Sequence, residues 1–150
     1  MEAVARQFAS NKKCLVLRNG WFSYRWSQIL EMGEITSSIT VMKAKKLSSS
    51  KENYDSQSPM EPASIDEVLK QIDIQKPNVV FAPHVETSAG MILPDEYIAS
   101  VAQAVHRAGG LFVLDCIASG ALWVDMEKLG IDVLISCLLY TSDAADEGLG

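Results

Sequence analysis

Apolar residues in this chain gather into short unbroken runs at 14–17, 79–82, 111–114 and 133–135. Each run is followed at once by a charged, turn-forming or hydroxyl residue. Continuous runs of this length predict strands buried on both faces, since a sheet with one wet face would alternate apolar and polar positions. Between the runs the apolar positions recur every three or four residues, the helical period. Met1, Val4, Ala5 and Phe8 share one helical face over 1–10. A second helix spans 21–32, with Gly33 as its stop. Ser64 and Glu67 form a capping box ahead of Val68, Leu69 and Ile72. Pro94 opens a helix through Tyr97, Val101 and Val105 to Gly109-Gly110, and 125–129 predicts a short one. Ile39 and Val41 suggest a further strand, and the Ser-rich segment 47–62 a surface loop. The alternation of helix and strand predicts an α/β fold with a mostly parallel sheet flanked by helices. No internal repeat is visible.

Composition narrows the classes. The 150 residues are 48% hydrophobic and 21% charged, with a net charge of −6, an ordinary globular balance with enough apolar material for one core. The acidity argues against a protein that grips a nucleic-acid backbone, which needs a basic face. No apolar run reaches the length of a membrane span, and the amino terminus lacks the charged-then-apolar pattern of a secretion signal. Cys14, Cys116 and Cys137 are isolated and odd in number, so neither a zinc knuckle nor a disulfide framework is indicated. A reducing, cytoplasmic setting is the default expectation.

Ligands in such sheets bind beyond the carboxyl ends of the strands, which singles out three loops: NGWFSYRW after the first strand, HVETSAG after Ala82, and DCIASGALW after Leu114. Asp115 emerges from an apolar strand, where burial raises a carboxyl pKa unless donors or a cation hold the ionised form. It reads equally as a turn or cap residue, as a magnesium-holding aspartate, or as the partner of a protonated pyridine nitrogen. The phosphate loop that the magnesium role requires is absent, and so is a dinucleotide glycine fingerprint. His84 and Glu86 read as an acid–base pair or metal ligands, or as loop residues satisfying backbone. Two ligands are too few for a metal site, so the structural role is preferred. Trp21 and Trp26 are expected in the core. Phe22, just past the Asn-Gly turn at the ligand-facing end, is a candidate for contact with a ligand. His106 and Arg107 suit a helix carboxyl end, and Lys43, Lys45 and Lys46 a solvated strand end.

Taken together, the three loops resemble the large domain of class V pyridoxal-phosphate aminotransferases, in particular the alanine–glyoxylate/serine–pyruvate group. LRNGWFSYRW resembles that family's Asn-Gly-x-aromatic-x-x-Arg segment. HVETSAGMILP resembles its His-x-Glu-[ST]-Ser-x-Gly loop, and LDCIASGALWVDMEKLGIDVLIS its Asp-x-[VI]-x-Ser stretch followed by Gly-Ile-Asp. The likeness spans residues 1–136. It implies a fold-type I enzyme with pyridoxal 5′-phosphate as cofactor, a small amino acid and a 2-oxo acid as substrates, and a homodimeric complete protein. Phe22 would stack on the pyridine ring, and Thr87 would hydrogen-bond near the ring hydroxyl or the aspartate. Asp115 would pair with the pyridinium nitrogen, and Ile117 would pack on the opposite face. Ser23 stands where a glycine is common, and Gly120-Ala121 departs from a usual Gly-Gly. A cysteine desulfurase or another class V lyase is the alternative within the fold, although HVETS fits the aminotransferase form better. A non-catalytic α/β binding module is the alternative outside it.

The resemblance stops at Ser136. In the family a Gln-Lys pair follows within a few residues, and that lysine forms the Schiff base. Here Leu139-Tyr140 fill the place, and no lysine occurs after Lys128. CLLYTSDAADE instead resembles the translation of a transposon-end sequencing adapter. The expected division is therefore residues 1–136, part of a cofactor-binding large domain, and residues 137–150, a non-native tail without defined structure. A first helix with no cap before it, and the missing phosphate loop, fit a fragment that is inactive by itself.

Overall fold

The structure, a computed structural model, describes residues 1–47 and 59–137. Five parallel strands form the central sheet: β1 (Cys14–Arg18), β2 (Ile39–Lys43), β5 (Val79–Pro83), β8 (Leu111–Asp115) and β9 (Val133–Ile135), in the order β2-β1-β5-β8-β9. α1 (Glu2–Ala9) precedes the first strand, and α2 (Trp21–Met32), α3 (Ile65–Gln75), α4 (Asp95–Arg107) and α5 (Met126–Leu129) run between the strands. Two small antiparallel pairs complete the described elements: β3 (Lys45–Lys46) with β4 (Met60–Glu61), and β6 (Val85–Glu86) with β7 (Met91–Ile92). The expected α/β sheet is present. Most of the loop expected over 47–62, and all of the tail beyond Cys137, lie outside the described residues.

The unbroken apolar runs are explained by two cores, one on each face of the sheet. Leu15, Leu17, Val80, Ala82, Phe112 and Leu114 point to the side covered by α3 and α4. Cys14, Val16, Val79, Phe81 and Val113 point to the side covered by α1 and α2, where they meet Ala5, Trp26 and Leu30. The strand period of two sends neighbours to opposite faces, and both faces are dry, so no position can be polar.

The chain leaves β1 outward to β2 and then returns across it to β5. That reversal puts a topological switch point at the carboxyl ends of β1 and β5, where an open α/β sheet leaves a crevice for ligands.

Helix ends follow local chemistry. Ser64 Oγ accepts from the Glu67 N–H at 3.3 Å, the forward half of the expected box. Glu67 itself reaches Lys45 at 2.7 Å. Gly33 ends α2 as expected, and the left-handed turn comes one residue after it. Gly33 has φ −80°, and Glu34 takes the left-handed conformation at φ 49°. Ile35 N–H then closes on Leu30 O at 3.0 Å, the wide bond of a Schellman ending, and buried Ile35 caps the core beneath it. Gly33 is needed for closeness rather than for a positive φ, because a Cβ there would lie 2.6 Å from Ile29 O.

Candidate functional site

The loops after β1, β5 and β8 converge on one cavity of about 560 Å³. Its lining includes Phe22, Thr87, Asp115 and Ile117, the four residues to which the resemblance gives a cofactor role, together with Trp21 and Arg25 of α2. A volume of this size is typical of small-molecule sites.

Asp115 ends β8, opposite Pro83 of β5. Its Oδ1 accepts the backbone N–H of Ile117 at 3.1 Å, and its Oδ2 accepts the indole N–H of Trp26 at 3.0 Å. Burial pushes the carboxyl pKa above its ordinary value, against the pull of those two donors and the chain's amino group, and Glu86 adds to the rise. No cationic side chain pairs with it among the described residues. A half-buried acid opening into a cavity, held by neutral donors only, is suited to meet a charged N–H from a ligand.

Phe22 is 59% exposed and presents its ring from the first turn of α2. That turn is capped from a distant segment. Gly20, the residue before the helix, has no side chain with which to cap it. Glu86 supplies the oxygens instead, accepting from Phe22 N–H at 3.2 Å, Ser23 N–H at 2.9 Å and Ser23 Oγ–H at 2.6 Å. Ser88 Oγ accepts from Trp21 N–H at 2.8 Å and donates to Glu86 at 2.6 Å. A carboxylate at a helix amino end also meets the positive end of the dipole. Burial pushes the Glu86 pKa up, but the donors from Ser23, Ser88 and Phe22 outweigh it and leave the carboxyl below its ordinary value.

Glu86 is thus a structural residue, as preferred from sequence. His84 is too: its Nδ1 lies 2.8 Å from Ser119 Oγ, and burial holds its pKa down against the opposing charge of Asp95. Thr87 opens the short 3₁₀ turn Thr87–Ala89 and lines the cavity, without a hydrogen bond to Asp115 among the described residues. Lys45 is paired with Glu67, and His106 Nε2 lies 2.9 Å from Asp132 Oδ2.

Of the two tryptophans expected in the core, Trp26 lies there and Trp21 does not. Trp21, expected in the core, is 72% exposed at the cavity mouth. It precedes Trp26 by five residues, about 140° around the helix, so both cannot face inward. Trp26 is buried and stacked on Phe81 with ring centroids 4.4 Å apart, yet it also belongs to the site through Asp115. Its distance along the chain from Asp115 hid that role. The only sequence signal was a buried indole, whose N–H needs an acceptor.

No family model and no curated protein sequence matches the chain. Solved structures do match. The ureidoglycine–glyoxylate aminotransferase of Bacillus subtilis superposes with a TM-score of 0.72 at 22% identity, over 91% of this chain and 31% of that one. The chain has the fold of part of that enzyme. The alanine–glyoxylate aminotransferase of Nostoc sp. gives 0.71 at 19% identity, over 92% and 32%. The PLP-bound C–S lyase of Staphylococcus hominis gives 0.62 at 13%, over 90% and 32%. The chain therefore spans about a third of the length of these proteins.

Proposed function

We propose that the chain is part of the cofactor-binding large domain of a pyridoxal-phosphate-dependent aminotransferase. The complete protein, read as a homodimer, moves an amino group between a small amino acid and a 2-oxo acid such as glyoxylate or pyruvate. The observation that carries this reading is the meeting of Phe22, Thr87, Asp115 and Ile117, from three separate loops, around one cavity at the switch point of the sheet.

The residues present fit the cofactor. Pyridoxal phosphate, when bound, supplies an electron sink for chemistry at the amino-bearing carbon. Asp115 holds a proton at the pyridine nitrogen through its charge, and Trp26 and the Ile117 N–H keep its two oxygens in place for that work. Phe22 offers an aromatic face on one side and Ile117 an apolar one on the other, which together exclude water from a flat ring. Thr87 supplies a hydroxyl for a polar substituent at the ring edge. The lysine that the family uses to carry and move the substrate proton has no counterpart in residues 129–150, so turnover belongs to the complete protein.

Expressing the uninterrupted genomic reading frame around residues 1–136 tests the reading. Asp115→Asn should keep the fold and lose most transamination, because an amide cannot balance a pyridinium charge. Near-normal turnover in that variant would make Asp115 a structural cap and end the assignment. The similarity to a C–S lyase keeps elimination as the second reading, and product analysis on the same protein separates it from amino-group transfer.

A further inference from the structure

We propose that Trp26 is the positioning residue of Asp115, its indole N–H fixing one carboxylate oxygen from inside the core so that the rest of the group faces the cavity. The inference deepens the cofactor reading and rests on it only for what the carboxylate meets there.

The geometry constrains Asp115 on both sides. Indole nitrogen is a donor and never an acceptor, and the same holds for a backbone N–H. Oδ2 therefore faces one donor, at Trp26, and Oδ1 another, at Ile117. Charged oxygens accept more strongly than those of a neutral carboxyl, so both bonds favour the charged form. Each carboxylate oxygen keeps a further lone-pair direction, which remains for the cavity that Asp115 lines.

Trp26 is well placed to hold a fixed angle. It is fully buried, and its ring stacks on Phe81 of β5, the strand beside β8. It also lies one turn after Phe22 on α2, so a single helix presents the exposed ring and anchors the acid. The charged groups acting on Asp115 are the amino group of Met1, which favours its ionisation, and Glu86 of β6, which opposes it. Neither is hydrogen-bonded to it among the described residues, so the orientation comes from Trp26 and Ile117.

The test uses the 150-residue chain without added cofactor, so failure of the cofactor reading leaves its outcome unchanged. The Trp26 indole proton is followed by NMR through the carboxylate pH range, and the Asp115 carboxyl carbon is titrated in parallel. The two should share one midpoint, and Asp115→Asn should abolish the indole response. Trp26→Phe keeps an aromatic ring but removes the donor, and should raise the proton-binding constant of Asp115 about tenfold. Phe81→Leu disturbs the same core without removing the donor and should leave that constant in place. An indole proton indifferent to Asp115 would overturn the proposal, and this result needs no core substitution. An unchanged carboxyl titration in folded Trp26→Phe would overturn it equally.

Discussion

Glu86 and Ser23 meet at the first turn of α2 although 63 positions separate them, with the Ser23 hydroxyl donating to Oε2 at 2.6 Å. Ser23 Oγ also accepts from the N–H groups of Asn19 and Gly20, at 2.9 and 3.0 Å. Ser23 thus adds a hydroxyl to the cap and ties the β6–β7 hairpin to the helix bearing Phe22. Two walls of the cavity are joined by one buried carboxylate.

Removing that carboxylate leaves the N–H groups of Phe22 and Ser23 without acceptors. Glu86→Ala should cost about 1–3 kcal/mol of stability, the usual penalty for a buried unsatisfied donor, with Glu86→Gln losing less. Chemical denaturation of the three proteins measures it. Equal stability would show that the cap contributes nothing.

The same carboxylate gives a pH signature. Its folded-state pKa is lowered, so its contribution is present above the ordinary glutamate value of 4.5 and is lost as pH falls through the lower folded value. Thermal unfolding followed into acid should show this loss, and Glu86→Gln should flatten that part of the curve. A Gln variant with an unchanged acid limb would assign the loss to other groups.

Asp115 should act with the opposite sign. Its folded-state pKa is raised, by burial above all, so stability present below the ordinary aspartate value of 3.8 is lost as pH rises through the folded value. Relative to the wild type, Asp115→Asn should therefore gain stability as pH rises through the carboxylate range, whatever its offset at low pH. A difference that stays constant with pH would mean that the carboxyl is not strained by burial. A carboxyl buried at a cost to the fold is the kind of compromise expected at a site of function.

Gly20 tests the close approach behind the cap. A Cβ there would collide with Ser88 Oγ and the Glu86 carboxyl. Its φ of 178° is open to any residue, so the obstacle is space alone. Gly20→Ala should cost roughly 1–3 kcal/mol and expose the first turn of α2 to amide exchange. Unchanged protection at Phe22 and Ser23 would show that the hairpin yields without loss.

The strands were legible because their runs are unbroken, and α2 because its period holds from Trp21 to Met32. The hairpin β6–β7 was not, since strands of two residues carry no period. Phe22 and Asp115 are legible from their places at the carboxyl ends of strands, whereas Thr87 and Ile117 come only from the resemblance of their loops to the aminotransferase family. Trp26 reads as a core residue, and it lies in the core. Its second task depends on a partner 89 positions away, and no local pattern carries that.

The claim that the cavity is a site for pyridoxal phosphate is tested most directly by mapping a ligand that cannot react with surface lysines. The chain, isotope-labelled, is titrated with 4′-deoxypyridoxine 5′-phosphate, which lacks the aldehyde. Amide shifts should concentrate at Phe22, Thr87, Asp115 and Ile117, and Asp115→Asn should weaken them while leaving the fold intact. Shifts centred elsewhere, on the lysines near Glu67 for example, or shifts indifferent to Asp115, would contradict the account.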